Sequence, residues 1–189
     1  MTDYNTYYKT EDLFGEPYPE LIEFFRRYEP KGKLIDLGCG QGRDSISLAR
    51  LGYQITGIDN SKVGIGQMNS ISQKEGLHVT GLVGDIYSFD NYQDFEFVLL
   101  DSMFHFDQRY KKRETALIEK IANRIKKNGV LCICIQDTGN KVKILKETID
   151  GTGLDFEILN DSSLFYNFGD KGSGHQSETT YCMYIVRKK

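Results

Sequence analysis

Residues 34–43 read Leu-Ile-Asp-Leu-Gly-Cys-Gly-Gln-Gly-Arg, an apolar run with an acid near its end that breaks into three glycines at alternate positions. Asp44-Ser-Ile-Ser-Leu-Ala-Arg50 follows with helical spacing. Glycine carries no Cβ, so Gly38, Gly40 and Gly42 let the backbone turn sharply and let a ligand touch the main chain. The helix after the turn points its free N–H groups and positive end into the same crevice. Further on, Tyr53-Gln-Ile-Thr-Gly-Ile-Asp59 ends a second strand with a carboxylate placed for the two hydroxyls of a ribose. This strand–turn–helix–strand unit is the start of an α/β layer that binds something built from a nucleoside.

The glycine spacing narrows the ligand. A dinucleotide fold wants G-x-G-x-x-G, whereas this chain has G-x-G-x-G with Asp36 two residues ahead, where an acid would repel a pyrophosphate. An ammonium and a sulfonium suit that acid better. The combination Asp-x-Gly-x-Gly-x-Gly plus Asp59 resembles motif I and the second-strand acid of class I S-adenosylmethionine-dependent methyltransferases. Leu-Gly-Cys-Gly-Gln-Gly-Arg-Asp at 37–44, with Gly52-Tyr53 and Asp59 downstream, is similar to the tellurite-resistance branch of that family and its small-molecule relatives.

The rest of the chain agrees with a doubly wound α/β enzyme. The spacing predicts a helix from Pro19 through Arg27, strands at 33–37, 54–58, 78–83, 95–100 and 130–135, and helices at 43–51, 61–73, 110–126 and 141–150. Residues 1–17 read as an irregular, tyrosine-rich arm. Two final strands near 155–160 and 179–187 flank a polar connection. The resemblance implies that these two form an antiparallel pair at the edge of a seven-stranded, Rossmann-like sheet of order 3-2-1-4-5-7-6. With no linker or repeat, residues 1–189 are expected to form a single domain, in which 189 residues can bury about 70% of the unfolded surface.

Composition excludes several classes. With 24 basic and 27 acidic side chains there is no basic surplus for a phosphate backbone. After the fourth strand the chain reads Asp101-Ser-Met-Phe, without the Asn/Asp-Pro-Pro-aromatic run that holds a flipped base, so nucleic acid is not the expected partner. No apolar stretch approaches the roughly 20 residues of a membrane span, and the polar N-terminus has no basic n-region. Cys39, Cys132, Cys134 and Cys182 form no C-x-x-C pair and read as buried, reduced thiols of a cytoplasmic protein. The three histidines have no metal-ligand spacing, and His78 reads as structural.

In doubly wound sheets the ligand lies outside the carboxyl ends of the strands. The resemblance implies that S-adenosylmethionine packs its methionine half on Gly38, Cys39, Gly40 and Gly42, with Asp36 and Arg43 on its ammonium and carboxylate ends. It implies that Asp59, with Asn60 beside it, holds the ribose, that Asp85 accepts from the adenine amino group with Ile86 against the ring, and that the backbone at Asp101 or Ser102 receives the cofactor's amino group. On the substrate side the candidates are His105, in an aromatic setting beyond the fourth strand, Tyr18 in a lid-like segment 13–19, and His175 in the last loop. The tellurite-resistance relatives carry basic residues in that loop. Here no arginine lies beside His175, which argues against tellurite or a similar oxyanion. The expected activity is methyl transfer to a small-molecule acceptor by a monomer or homodimer. A non-catalytic S-adenosylmethionine-binding protein and a nucleic-acid methyltransferase stand as alternatives.

Overall fold

Each apolar run becomes a strand whose alternate residues feed opposite faces of one sheet. The computed structural model describes residues 4–10, 13–169 and 176–189, and of 166–169 and 176–178 the backbone alone. In chain order the elements are α1 (Tyr4–Tyr7), α2 (Pro19–Arg27), β1 (Lys33–Leu37), α3 (Arg43–Arg50), β2 (Gln54–Asp59), α4 (Lys62–Glu75), β3 (Val79–Val83), β4 (Phe97–Asp101), α5 (Lys111–Arg124), β5 (Val130–Gln136), α6 (Lys141–Asp150), β6 (Phe156–Gly169) and β7 (Gln176–Lys188). The strand order is β3-β2-β1-β4-β5-β7-β6. The first five strands in that order are parallel, and β7 runs antiparallel to both β5 and β6. This is the doubly wound, Rossmann-like order expected from the sequence.

The pleat sorts the core into two layers. Val98, Leu100, Leu131, Ile133 and Ile135 face α5 and α6, packing with Ile118, Ile121 and Leu145. Phe97, Leu99, Val130, Cys132 and Cys134 face the other way, against Leu21 and Phe25 of α2 and Leu48 of α3. There Phe25, Tyr53 and Phe97 meet edge to face at 5.3–5.7 Å, and the Tyr53 hydroxyl donates to the Phe25 carbonyl at 2.9 Å. Strands buried on both faces explain the near-continuous apolar runs in the sequence.

Three elements differ from the sequence-based expectation. The arm is not wholly irregular, because Tyr4–Tyr7 forms a helical turn whose Asn5 side chain docks on α4, its Oδ1 accepting from Ser61 Oγ at 3.0 Å and the Val63 N–H at 3.3 Å. The fourth strand begins at Phe97, two residues late, because Tyr92–Asp94 forms a 3-10 turn closed by Phe95 N–H to the Tyr92 carbonyl. The final strands run far past 155–160 and 179–187, pairing from Phe156 opposite Lys188 to Gly169 opposite Gln176. Beyond Tyr181 the ribbon no longer leans on β5. There β6 keeps an apolar residue at every second position, Leu164, Tyr166 and Phe168, but its partner stretch Gln176–Thr180 is polar, so one strand of the pair lacks the alternation by which a strand is read.

Candidate functional site

The glycine turn is built by backbone conformation. Gly38, Gly40 and Gly42 have φ of 82°, 54° and 86°, a region where L side chains are strained. The Gly38 N–H donates to the Ile58 carbonyl at 2.7 Å and the Gly42 N–H to Cys39 at 2.8 Å, so the turn folds against the end of β2. Gly42 caps α3 without a side chain, leaving its first N–H groups for a ligand. A Cβ on Gly38 would run into the Met103 thioether, and one on Gly40 would stand 2.5 Å from the Tyr8 hydroxyl. The turn is a bare-backbone cradle.

Asp59 ends β2 at the rim of this cradle. One carboxylate oxygen accepts from the Gly40 N–H at 3.1 Å and the other from the Ser61 N–H at 2.7 Å. Burial pushes its carboxyl above the usual range, and these N–H donors pull the other way. Asp36 lies elsewhere. The pleat turns it under the turn toward α3, where it accepts from Ser45 Oγ at 2.6 Å. It is 3% exposed and is not among the residues lining the cavity. Burial, with Asp44 nearby, pushes it up to about 7.

Above the turn lies a cavity of about 800 Å³, within the 300–1,000 Å³ typical of small-molecule sites. Of the residues singled out from the sequence, Tyr18, Gly38, Cys39, Gly40, Gly42, Arg43, Asp59, Asn60, Asp85, Ile86, Asp101, Ser102 and His105 line it. His175 lies outside the described residues. Asp85 accepts from the Tyr87 N–H at 3.1 Å and pairs with Arg113 at 3.1 Å. The Arg43 guanidinium pairs with Asp101 and with Asp44 and lies over the Tyr18 ring at 5.3 Å. Its charge is thus committed to the protein's own carboxylates.

Apart from Phe14, which falls in the lid-like segment 13–19, several residues that shape the cavity carry no signal in the sequence. The arm roofs it with Tyr4, Tyr8 and Phe14. Gln41, inside the glycine turn, latches that arm, donating to the Thr10 carbonyl at 2.8 Å and accepting from the Leu13 N–H at 3.1 Å. Gln67 of α4 adds a bond to the Tyr8 carbonyl at 2.8 Å. At the far end Tyr181 packs on Tyr18 at 5.4 Å. Glu114 of α5, 2% exposed, accepts from the backbone N–H groups of His105 at 3.2 Å and Phe106 at 2.6 Å. That buried carboxylate holds the 102–106 loop, in which Ser102 and Phe106 both have positive φ, and so presents His105 to the cavity. A glutamate in the first turn of a helix reads in sequence as a solvated charge that suits the positive helix end.

Comparison with known proteins agrees with this architecture. A family model described as tellurite resistance protein TehB matches residues 3–143. The probable S-adenosyl-L-methionine-dependent methyltransferase TehB of Haemophilus influenzae is 31% identical over 109 residues, covering 54% of this chain and 38% of that protein. The 2-heptyl-1-hydroxyquinolin-4(1H)-one methyltransferase of Mycobacteroides abscessus is 30% identical over 93 residues, covering 48% of this chain and 41% of that one. The matches thus span well under half the length of both curated relatives. Among solved structures, TehB from H. influenzae superposes with a TM-score of 0.74 at 21% identity, covering 98% of this chain and 66% of that one. Magnesium protoporphyrin IX methyltransferase from Synechocystis, solved with S-adenosylmethionine bound, gives 0.68 at 16% identity, covering 90% and 77%. At these identities the superpositions speak to the fold.

Proposed function

The chain belongs to the TehB family of S-adenosylmethionine-dependent methyltransferases, and from that premise we propose that it transfers a methyl group from S-adenosylmethionine to a small-molecule acceptor. The observation that carries the reading is the bare glycine turn opening onto an 800 Å³ cavity with a buried carboxylate, Asp59, at its rim. Bound there, the cofactor supplies a methyl group already activated by its sulfonium. Gly38, Cys39, Gly40 and Gly42 offer backbone to its methionine half, and Asp59 with Asn60 would hold the ribose hydroxyls through charge-assisted bonds. Asp85 would accept from the adenine amino group with Ile86 against the ring, and the backbone at Asp101 or Ser102 would receive the cofactor's amino group. Asp36 supports the turn from below through Ser45. Arg43 braces the turn against β4 through Asp101.

The remaining tasks are alignment and exclusion of water, for which orientation supplies on the order of 7–11 kcal/mol. Tyr8 and Phe14 of the arm would shield the reacting atoms as a lid. His105, exposed on the cavity wall, would take the proton of an acceptor that carries one at neutral pH. Tyr18 forms the wall on the acceptor side, and His175 is retained as a substrate-side candidate. The absence of a basic surplus favours a small molecule over nucleic acid. The four free, buried cysteines fit a reducing, cytoplasmic setting.

Calorimetric titration with S-adenosylmethionine, S-adenosylhomocysteine and NADH tests the reading. Micromolar binding of the first two and none of NADH is expected, and Asp59→Ala should weaken S-adenosylhomocysteine binding by roughly 1.5–3 kcal/mol. Binding of NADH alone would overturn the methyltransferase assignment.

A further inference from the structure

The roof of the cavity is fastened by three amide side chains, two of which lie outside it. At its start the arm docks on α4 through Asn5, whose Oδ1 accepts from Ser61 Oγ and the Val63 N–H. Farther along, two glutamines meet. Gln41 of the glycine turn donates to Gln67 Oε1 of α4 at 2.7 Å and to the Thr10 carbonyl at 2.8 Å, and it accepts from the Leu13 N–H at 3.1 Å. Gln67 in turn donates to the Tyr8 carbonyl at 2.8 Å. One pair of glutamines thus ties the main chain of the arm at residues 8, 10 and 13. Gln41 lines the cavity, whereas Asn5 and Gln67 do not.

What this fastening presses down is Tyr8. Its side chain is 4% exposed and fills a slot between two glycines. A Cβ on Gly40 would stand 2.5 Å from its hydroxyl, and one on Gly64 would stand 3.0 Å from its ring. Tyr4 and Phe14 close around it at 5.7 and 6.2 Å. Tyr8 therefore covers the place where the glycine turn meets Asp59, whose carboxylate accepts from the Gly40 N–H. The rest of the arm buries little, since Tyr4, Tyr7 and Phe14 are all exposed. A segment with few buried apolar contacts, held by neutral hydrogen bonds that water can replace, belongs to the easily opened part of a structure.

We propose that Gln41 and Gln67 form a latch holding the arm over the glycine turn, and that its release sets the rate at which the cofactor and its demethylated product exchange. The proposal rests on the methyltransferase reading above. A ligand running from the turn to Asp59 passes beneath Tyr8, so the arm lifts for it to enter or leave. Gln67 acts through the arm alone and is a positioning residue. The latch bonds join parts of the protein to each other, so they hold the arm equally with and without ligand. Opening is then a step common to entry and exit. Weakening the latch speeds both and leaves affinity nearly unchanged.

The test is surface plasmon resonance on the immobilised full chain with S-adenosylhomocysteine, comparing the wild type with Gln67→Leu and Asn5→Ala. Gln67→Leu keeps the bulk of the side chain and removes two amide bonds, worth about tenfold in an opening equilibrium. Association and dissociation are both expected to accelerate about tenfold, with the dissociation constant moving by less than about threefold. Asn5→Ala, at the other anchor, should accelerate both rates in the same way. A side chain that merely supported the binding surface would change dissociation and leave association alone. That pattern, or wild-type rates in either folded variant, overturns the proposal. Failure of S-adenosylhomocysteine to bind the wild type would instead overturn the methyltransferase reading.

Discussion

Alanine at Gly64 and alanine at Gly66 should move stability in opposite directions, although the two positions are two residues apart on one helix. Propensity alone predicts a gain at both, since alanine in a helix interior is favoured over glycine by about 0.8–1 kcal/mol. At Gly66 nothing lies within 4 Å of the place a Cβ would take, so that gain should appear nearly whole. At Gly64 the new methyl would stand 2.6 Å from the Gly40 carbonyl oxygen and 2.8 Å from its carbon. Those are backbone atoms of the glycine turn and cannot rotate away. Relief requires α4 and the turn to separate by several tenths of an ångström, loosening the Gly40 N–H to Asp59 bond at 3.1 Å. Overpacking of this kind costs about 1–3 kcal/mol, more than propensity returns. Gly64→Ala should therefore lose about 1–2 kcal/mol net and Gly66→Ala gain up to about 1. Urea unfolding at constant m-value reads both, and S-adenosylhomocysteine titration should show weaker binding for Gly64→Ala alone. A Gly64→Ala protein at least as stable as Gly66→Ala would refute the claim that α4 touches the turn backbone to backbone.

Two further outcomes follow from buried acids. Burial raises the folded-state pKa of Asp36 to about 7, above the ordinary unfolded value of about 3.9. The folded chain therefore binds the extra proton, and this residue's contribution falls as pH climbs through that window, the reverse of a salt-bridged aspartate. Compared with Asp36→Asn, the wild type should lose stability in thermal melts between about pH 4 and 7, and parallel profiles would remove the effect. Glu114→Ala strips the acceptor from the Phe106 N–H, bonded at 2.6 Å, and should cost about 1–3 kcal/mol. Amide exchange at 102–106 should accelerate, and unchanged exchange would mean that something else holds the loop.

The alternating apolar runs made the sheet and its flanking helices readable, because strands buried on both faces leave few other ways to hide Leu34, Ile35 or Leu131 to Ile135. The strand-end rule then gathered Gly38, Asp59, Asp85 and Ser102 around one cavity without any coordinates. Its limits are physical. Asp36 was expected beside the ligand, yet the pleat puts it on the same side as Leu34, facing α3. The arm's latch could not be foreseen, since Gln41 chooses partners about thirty residues away by proximity rather than by pattern. Glu114 looked like any charged helix residue until its burial was visible. The ribbon of β6 and β7 outruns its expected bounds because only β6 carries an apolar alternation there, at Leu164, Tyr166 and Phe168, while Gln176 to Thr180 opposite are polar, and antiparallel backbone bonding needs no apolar code.

That ribbon also bears on how the protein reaches its native state. β6 and β7 are consecutive in the chain and paired along their whole length, so they can assemble early from local contacts. Until β5 arrives, however, the other edge of β7 is unpaired from Tyr181 to Arg187. That stretch is apolar on both faces, with Met183 and Ile185 on one side and Tyr184 and Val186 on the other. An open edge of this kind is a template for pairing with a second chain. The delay before β7 docks onto Val130–Gln136 is thus the step at which a refolding chain is most exposed to aggregation.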